Sequence, residues 1–246
     1  MNDVTIMDIP FINTDQETFV SVLDQHIQQK RKTFVITANP EIVMKAYENK
    51  SFKEYLNQAT YITADGIGIV KAAQLLNNPL PGRVTGYDTM MQLLTKANEQ
   101  AYKIFLLGAH PDTLQKTVAN IERDYPNVQI VGTQDGYFDW DNNDIADRIA
   151  DVKPDITFVA LGVPKQEKWI AENISKFDSG IFMGIGGSFD VIAGTVKRAP
   201  AFWQKLNLEW LYRLLKQPSR WRRMLALPRF AIHIFILKVK GKGLKS

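Results

Sequence analysis

The chain has 246 residues, a balanced apolar and charged content and no cysteine, so disulfides, thiol catalysis and cysteine-ligated metals are excluded. Its length is ample for a sizeable buried core, and a reducing cytoplasmic setting fits the absence of thiols. The net charge of +4 is unevenly held: residues 197–246 carry thirteen Lys/Arg against one acid, Glu209, a net +12, and the remainder is −8.

The N-terminal stretch MNDVTIMDIPF lacks the basic start and apolar core of a signal peptide. TFVIT (33–37) reads as a buried strand, and PEIVMKAYEN as a helix with proline in its first turn. YIT (61–63) is a strand that runs into Asp65, and IGIVKAAQLLN is the helix after it. The pattern repeats as KIFLLG (103–108) then PDTLQKTVANIERDY, VQIVG (128–132) then NNDIADRIADV, and DITFVALG (155–162) then KQEKWIAENI, and it closes on the strand GIFMGIG (180–186). Strand–helix alternation with continuously apolar strands predicts an α/β fold: a Rossmann-like, mostly parallel sheet with helices on both faces. Ligands of such sheets bind beyond the carboxyl ends of the strands. The loops to watch are therefore Thr37–Asn39, Asp65–Gly68, Gly108–His110, Gly162–Gln166 and Gly184–Asp190.

After Pro200 the chain turns helical, basic and aromatic, and holds Trp203, Trp210 and Trp221, three of its five tryptophans. Residues 1–196 thus read as the core and 197–246 as a C-terminal appendage. A helical hairpin packed on the core accounts for Leu208, Leu211 and Leu215 but poorly for Arg220, Arg222, Arg223 and Arg229. Clustered like charge repels unless an anion screens it, so an anionic membrane surface is the favoured partner. FAIHIFIL is too short to cross a bilayer.

Taken singly, the loop motifs are ambiguous. Asp65 can cap the following helix, ligate a metal or act as a base; the glycines beside it allow close approach of a substrate. Thr37 and Asn39 can cap a helix or line a phosphate or sugar site. Arg83 in PGRVTGYD suits bidentate phosphate recognition, and Lys165 and Gln166 in GVPKQEKW carry the same ambiguity. GIGGSFDVIAGTVKRAP (184–200) offers backbone N–H groups but matches neither a dinucleotide fingerprint nor a phosphate loop of the GxxxxGK[ST] type. DWDNNDIAD lacks the central Gly and terminal Glu of a calcium loop and reads as a capped helix start, and the three histidines have no metal-ligand spacing.

Together the strings TANPEIV, ADGIGIVKAA, RVTGYD, FLLGA, GVPKQEKWI, GIGGSFDVIAG, KRAP and LNLEWLYRLL, in this order from about Ile6 to about Pro228, resemble the WecG/TagA/CpsF glycosyltransferase family, and most closely its TagA branch. The resemblance implies an inverting, metal-independent transfer of N-acetylmannosamine from UDP-ManNAc to undecaprenyl-diphosphate-linked GlcNAc, which opens the wall teichoic acid linkage unit of Gram-positive bacteria. It implies no cofactor, with the UDP-sugar as substrate, and a location peripheral to the inner face of the cell membrane. Asp65 matches the family's proposed general base and Thr37 its neighbour. Asn39, Arg83 and Gln166 match pocket residues, with Gly108 and Asp190 in the donor-side loops. Arg213, Arg220 and Arg223 fall on the appendage, where the family grips the acceptor diphosphate. A family sibling with UDP-glucose or the uronate of UDP-ManNAc as donor is the alternative, and Lys165 is the cation to watch for a uronate. A nucleic-acid partner is not expected, because it leaves Asp65, Thr37 and Gln166 without a role; a homo-oligomer is left open.

Overall fold

The computed structural model describes residues 2–218 and 221–241. The N-terminus forms an antiparallel hairpin, β1 (Asp3–Ile6) and β2 (Ile9–Ile12). Its two-residue turn sets Met7 and Asp8 at φ 51° and 60°, the left-handed backbone that matches the twist of a tight hairpin. Six further strands pair in parallel: β3 (Lys32–Ala38), β4 (Tyr61–Ala64), β5 (Lys103–Gly108), β6 (Gln129–Gln134), β7 (Ile156–Ala160) and β8 (Gly180–Gly184). Their order across the sheet is β4-β3-β8-β7-β5-β6. Runs such as Ile104–Leu107 and Ile156–Val159 are buried residue after residue because both sheet faces are covered.

One face carries α2 (Pro40–Glu48), α3 (Lys50–Asn57), α4 (Ile67–Leu75), α7 (Ile145–Val152) and α8 (Lys165–Asn173). The other carries α1 (Gln16–Gln28), α5 (Gly86–Gln100), α6 (Pro111–Asp124) and α9 (Ser188–Ile192). Crossovers that step toward the β4 edge (β3 to β4, β6 to β7, β7 to β8) run over the first face. Those that step away (β4 to β5, β5 to β6) bring α5 and α6 onto the second, as a single crossover hand requires. Neighbours β3 and β8 therefore lead off to opposite faces, into α2 and α9. That switch point opens a crevice beyond their carboxyl ends.

The C-terminal segment forms α10 (Ala201–Lys205), α11 (Glu209–Lys216), α12 (Trp221–Met224) and α13 (Ala226–Val239). Phe230 and Ile234 of α13 are buried in the core that holds α2 and α4, and His233 lies 4.7 Å from Tyr47 between ring centres. Arg229 pairs with Glu48 at 2.6 Å. The far side of α13 leaves Ile232, Phe235 and Val239 exposed. Among the described residues no helix is long and apolar enough to cross a membrane.

The strand expected over 128–132 runs Gln129–Gln134, and the helix expected from 142 starts at Ile145. The Asx turns in between, with Asp139 Oδ1 accepting from Asp141 N and Asn143 Oδ1 from Ile145 N, explain the late start. Gly108 ends β5 at φ +114°, and a Cβ there would stand 2.5 Å from the carbonyl carbon and oxygen of Ala160. Gly108→Ala is predicted to cost roughly 2–3 kcal/mol through backbone strain and contact. Thermal unfolding should then show a midpoint lower by about 5–10 °C.

Candidate active site

A cavity of about 800 Å³ lies beyond β3, β4 and β8, under the C-terminal helices. The N-terminal ends of α2, α4 and α5 border it through Asn39, Gly66 and Gly86, each end carrying partial positive charge. Glu209, Trp210 and Arg213 of α11, Arg223 of α12 and Phe230 of α13 close it from above. Its charged lining is Lys71, Arg83, Arg198, Arg213, Arg223 and Lys238 against Glu41, Asp65 and Glu209, a net excess of cations suited to an anionic ligand.

Asp65 follows the last residue of β4, and its N–H donates to the Ala38 carbonyl at 3.0 Å, which pins the turn to β3. It does not cap α4. That helix starts from Gly66 at φ 123° with no side-chain cap, so the carboxylate is free to face the cavity. Val84 N donates to the Ala64 carbonyl, laying the 82–86 loop beside β4, and Gly86 N then donates to Asp65 Oδ2 at 3.3 Å. Burial pushes the Asp65 carboxyl up to about 6. The Gly86 N–H, Arg213 and Arg83 oppose that rise, and Glu209 adds to it.

Asn39 and Thr37 separate in role. Asn39 Oδ1 accepts from Ile42 N at 3.1 Å and caps α2, and the residue lines the cavity. Thr37 is buried under it. A Cβ on Gly86 would come within 2.8 Å of Thr37 Oγ1, so this threonine sets how closely the α5 N-terminus, and the N–H that holds Asp65, can approach.

The arginines meet around one acid. Glu209 lies 3.7 Å from Arg83, 3.5 Å from Arg198 and 3.9 Å from Arg213. Arg223 Nε donates to Glu41 Oε1 at 2.7 Å. The structure thus brings Asp65, Asn39, Arg83, Arg213 and Arg223 to one cavity. Thr37, Gln166, Gly108 and Asp190 lie outside its lining. Gln166 is buried behind the wall, where its Oε1 accepts from Gly186 N at 3.0 Å and its Nε2 donates to Glu167 Oε1 at 2.8 Å. Asp190 sits on α9, where its carbonyl accepts from Val196 N at 3.0 Å. Arg220 lies outside the described residues. Sequence reasoning missed Arg198, Tyr87 and Glu209 as site residues; the signal available was the survival of a single acid in a +12 segment. Among the described residues no group of three or more His, Asp and Glu side chains is placed to hold a metal ion.

A protein-family model described as "Glycosyl transferase WecG/TagA/CpsF family" matches residues 4–243. The chain is 42% identical over 235 residues to the N-acetylglucosaminyldiphosphoundecaprenol N-acetyl-beta-D-mannosaminyltransferase of Bacillus subtilis (strain 168), a match covering 95% of this chain and 91% of that protein. It is 38% identical over 244 residues to the protein of the same name from Staphylococcus aureus (strain MW2), covering 98% and 96%.

The raised Asp65 carboxyl carries a stability cost with a defined sign. Asp65 binds its proton more tightly folded (about 6) than unfolded (3.8), so stability falls as pH rises through that window and stays lower above it. Asp65→Asn removes the ionisation and should melt higher than the parent at pH 7.5, by roughly 1–3 kcal/mol of stability. The advantage should vanish toward pH 4 when melts are compared across pH.

Proposed function

The chain belongs to the WecG/TagA/CpsF glycosyl transferase family, and from that premise we propose that it moves N-acetylmannosamine from UDP-ManNAc to the GlcNAc of undecaprenyl-diphosphate-GlcNAc, an early step in wall teichoic acid linkage-unit synthesis. The observation that carries the reading is the place of Asp65, a carboxylate beyond the carboxyl end of β4 in a cavity with excess positive charge, where burial pushes it up to about 6. A base poised just below neutrality is mostly ionised at working pH yet still accepts a proton from a hydroxyl.

Asp65 takes the proton of the acceptor hydroxyl as its oxygen attacks C1 of the donor sugar. The bond from C1 to the diphosphate oxygen breaks on the opposite face, and UDP departs with the electron pair. One carboxylate suffices for this inverting displacement. The charge that develops on the leaving diphosphate is met by Arg83 and by the N-terminal ends of α2, α4 and α5, and no step calls for a metal ion. Lys165, the cation watched for a uronate donor, lies 5.7 Å from the Trp140 ring centre and is not among the cavity-lining residues.

In this reading residues 1–196 form the glycosyltransferase core that supplies the base, and 197–246 form the appendage that supplies acceptor-binding arginines. The basic surface and the exposed Trp221, Ile232, Phe235 and Val239 suit a peripheral site on the inner, anionic face of the membrane, where the lipid acceptor resides.

Product analysis with a panel of UDP-sugars and a GlcNAc-diphosphate-lipid analogue tests the assignment. UDP-ManNAc should give the disaccharide lipid, at the same rate with and without EDTA. Asp65→Asn should lower turnover by about 10²–10⁴-fold while UDP affinity stays within about threefold. Near-parental turnover in that variant would remove Asp65 as the base.

A further inference from the structure

Arg198 stands where the core chain turns into the C-terminal helices, and its guanidinium is held from three sides. Nη2 pairs with Asp88 Oδ1 at 2.8 Å, and the guanidinium carbon lies 4.5 Å from the Tyr87 ring centre. Nε is shielded from solvent and makes no hydrogen bond; Glu209 Oε1 stands 3.5 Å away. Asp88 is itself fixed, because its Oδ2 accepts from Thr85 Oγ1 at 2.7 Å in the cap of α5. The Arg198 plane is therefore set in advance at the cavity wall, with the side chain about one-quarter exposed.

Glu209 relates Arg198 to two other guanidiniums, Arg83 at 3.7 Å and Arg213 at 3.9 Å. Separations of this length hold charges together without consuming N–H donors. Asp88 offsets part of the Arg198 charge, but across the cavity Lys71, Arg83, Arg198, Arg213, Arg223 and Lys238 stand against Glu41, Asp65, Glu209 and Asp88. That excess of about two positive charges in a partly desolvated site is costly without a counter-ion. A diphosphate supplies that charge and accepts from several guanidiniums at once.

We propose that Arg198 is a further diphosphate-binding residue of this cavity, and that Glu209 is the positioning residue that gathers Arg83, Arg198 and Arg213 around one anion position. The proposal rests on the glycosyl-transfer reading, in which donor and acceptor both carry a diphosphate, and either can be the source of the anion.

Steady-state kinetics on full-length Arg198→Ala and Arg198→Lys separate the two sources. A single charge-assisted contact of this kind is worth about 10–100-fold in binding. KM for one substrate should rise by at least tenfold in Arg198→Ala, with Lys recovering only part because it lacks the planar fork. If the donor is the source, UDP affinity falls in the same proportion and UMP affinity does not. If the acceptor lipid is the source, its KM rises and UDP affinity holds. Both KM values within twofold of the parent would overturn the assignment. Should Arg198→Ala unfold, Asp88→Asn and Tyr87→Leu keep the guanidinium but loosen it, and must raise the same KM to a smaller extent; no rise in either overturns the assignment. Glu209→Gln should raise that KM too. It should also move the acid limb of the kcat/KM profile to lower pH, since it removes the carboxylate that pushes Asp65 up; an unmoved limb with an unmoved KM refutes the positioning role. If the parent protein makes no product, the reaction fails, yet pyrophosphate binding still decides the site: tenfold weaker in Arg198→Ala supports it, and equal affinity overturns it.

Discussion

The convergence of Arg83, Arg198 and Arg213 on Glu209 is the interaction on which the rest of the site depends. Glu209 is the one acid in a segment of net charge +12, and it faces an arginine from the α4–α5 loop, one from the chain before α10 and one from its own helix. Without it, like charges would meet at the mouth of the sheet. With it, α11 comes to rest over the carboxyl ends of β3, β4 and β8 and turns an open crevice into a cavity. Arg223 on Glu41 and Arg229 on Glu48 repeat the arrangement along α2, and the apolar anchors Phe230 and Ile234 supply burial that exposed ion pairs alone would not.

The same charges govern Asp65. Burial favours its protonated form, and the Gly86 N–H with Arg213 and Arg83 draws it back toward ionisation. The fold places the opposing influences on different elements: the carboxyl on the β4–α4 turn, the N–H on α5 and the guanidiniums on the 82–86 loop and α11. The C-terminal helices are thus electrostatic components of the site as well as its cover. Glu167, pushed up to about 7 chiefly by burial, shows the same economy behind the wall, where Gln166 links it to the glycine loop at Gly186.

Much of this was legible in the sequence. Strands such as Ile104–Leu107 announce themselves because a doubly covered parallel strand is apolar at every position. Asp65 taken alone read equally as a helix cap, and only the set of loop motifs around it singled it out as a base; the glycine at φ 123° proved to be the helix start that leaves it free. The β1–β2 hairpin and helices α1, α3 and α5 escaped notice, although Thr85 and Asp88 form a recognisable cap at the head of α5. Gln166 and Asp190 follow the right strands, but which residues of a strand–helix turn reach the cavity depends on packing: Gln166 turns to Gly186 N and Glu167, and Asp190 on α9 is not among the lining residues. Arg198 and Glu209 were invisible as a pair, because residues eleven apart meet only once α10 and α11 fold back over the sheet.

The pH dependence of kcat/KM for the parent protein, measured with UDP-ManNAc and the lipid acceptor analogue, addresses the central claim most directly. A base whose carboxyl is held at about 6 predicts activity that rises tenfold per pH unit below that value and levels off above it. An acid limb near 4, where an ordinary aspartate titrates, or a profile flat from pH 5 to 8, would contradict it.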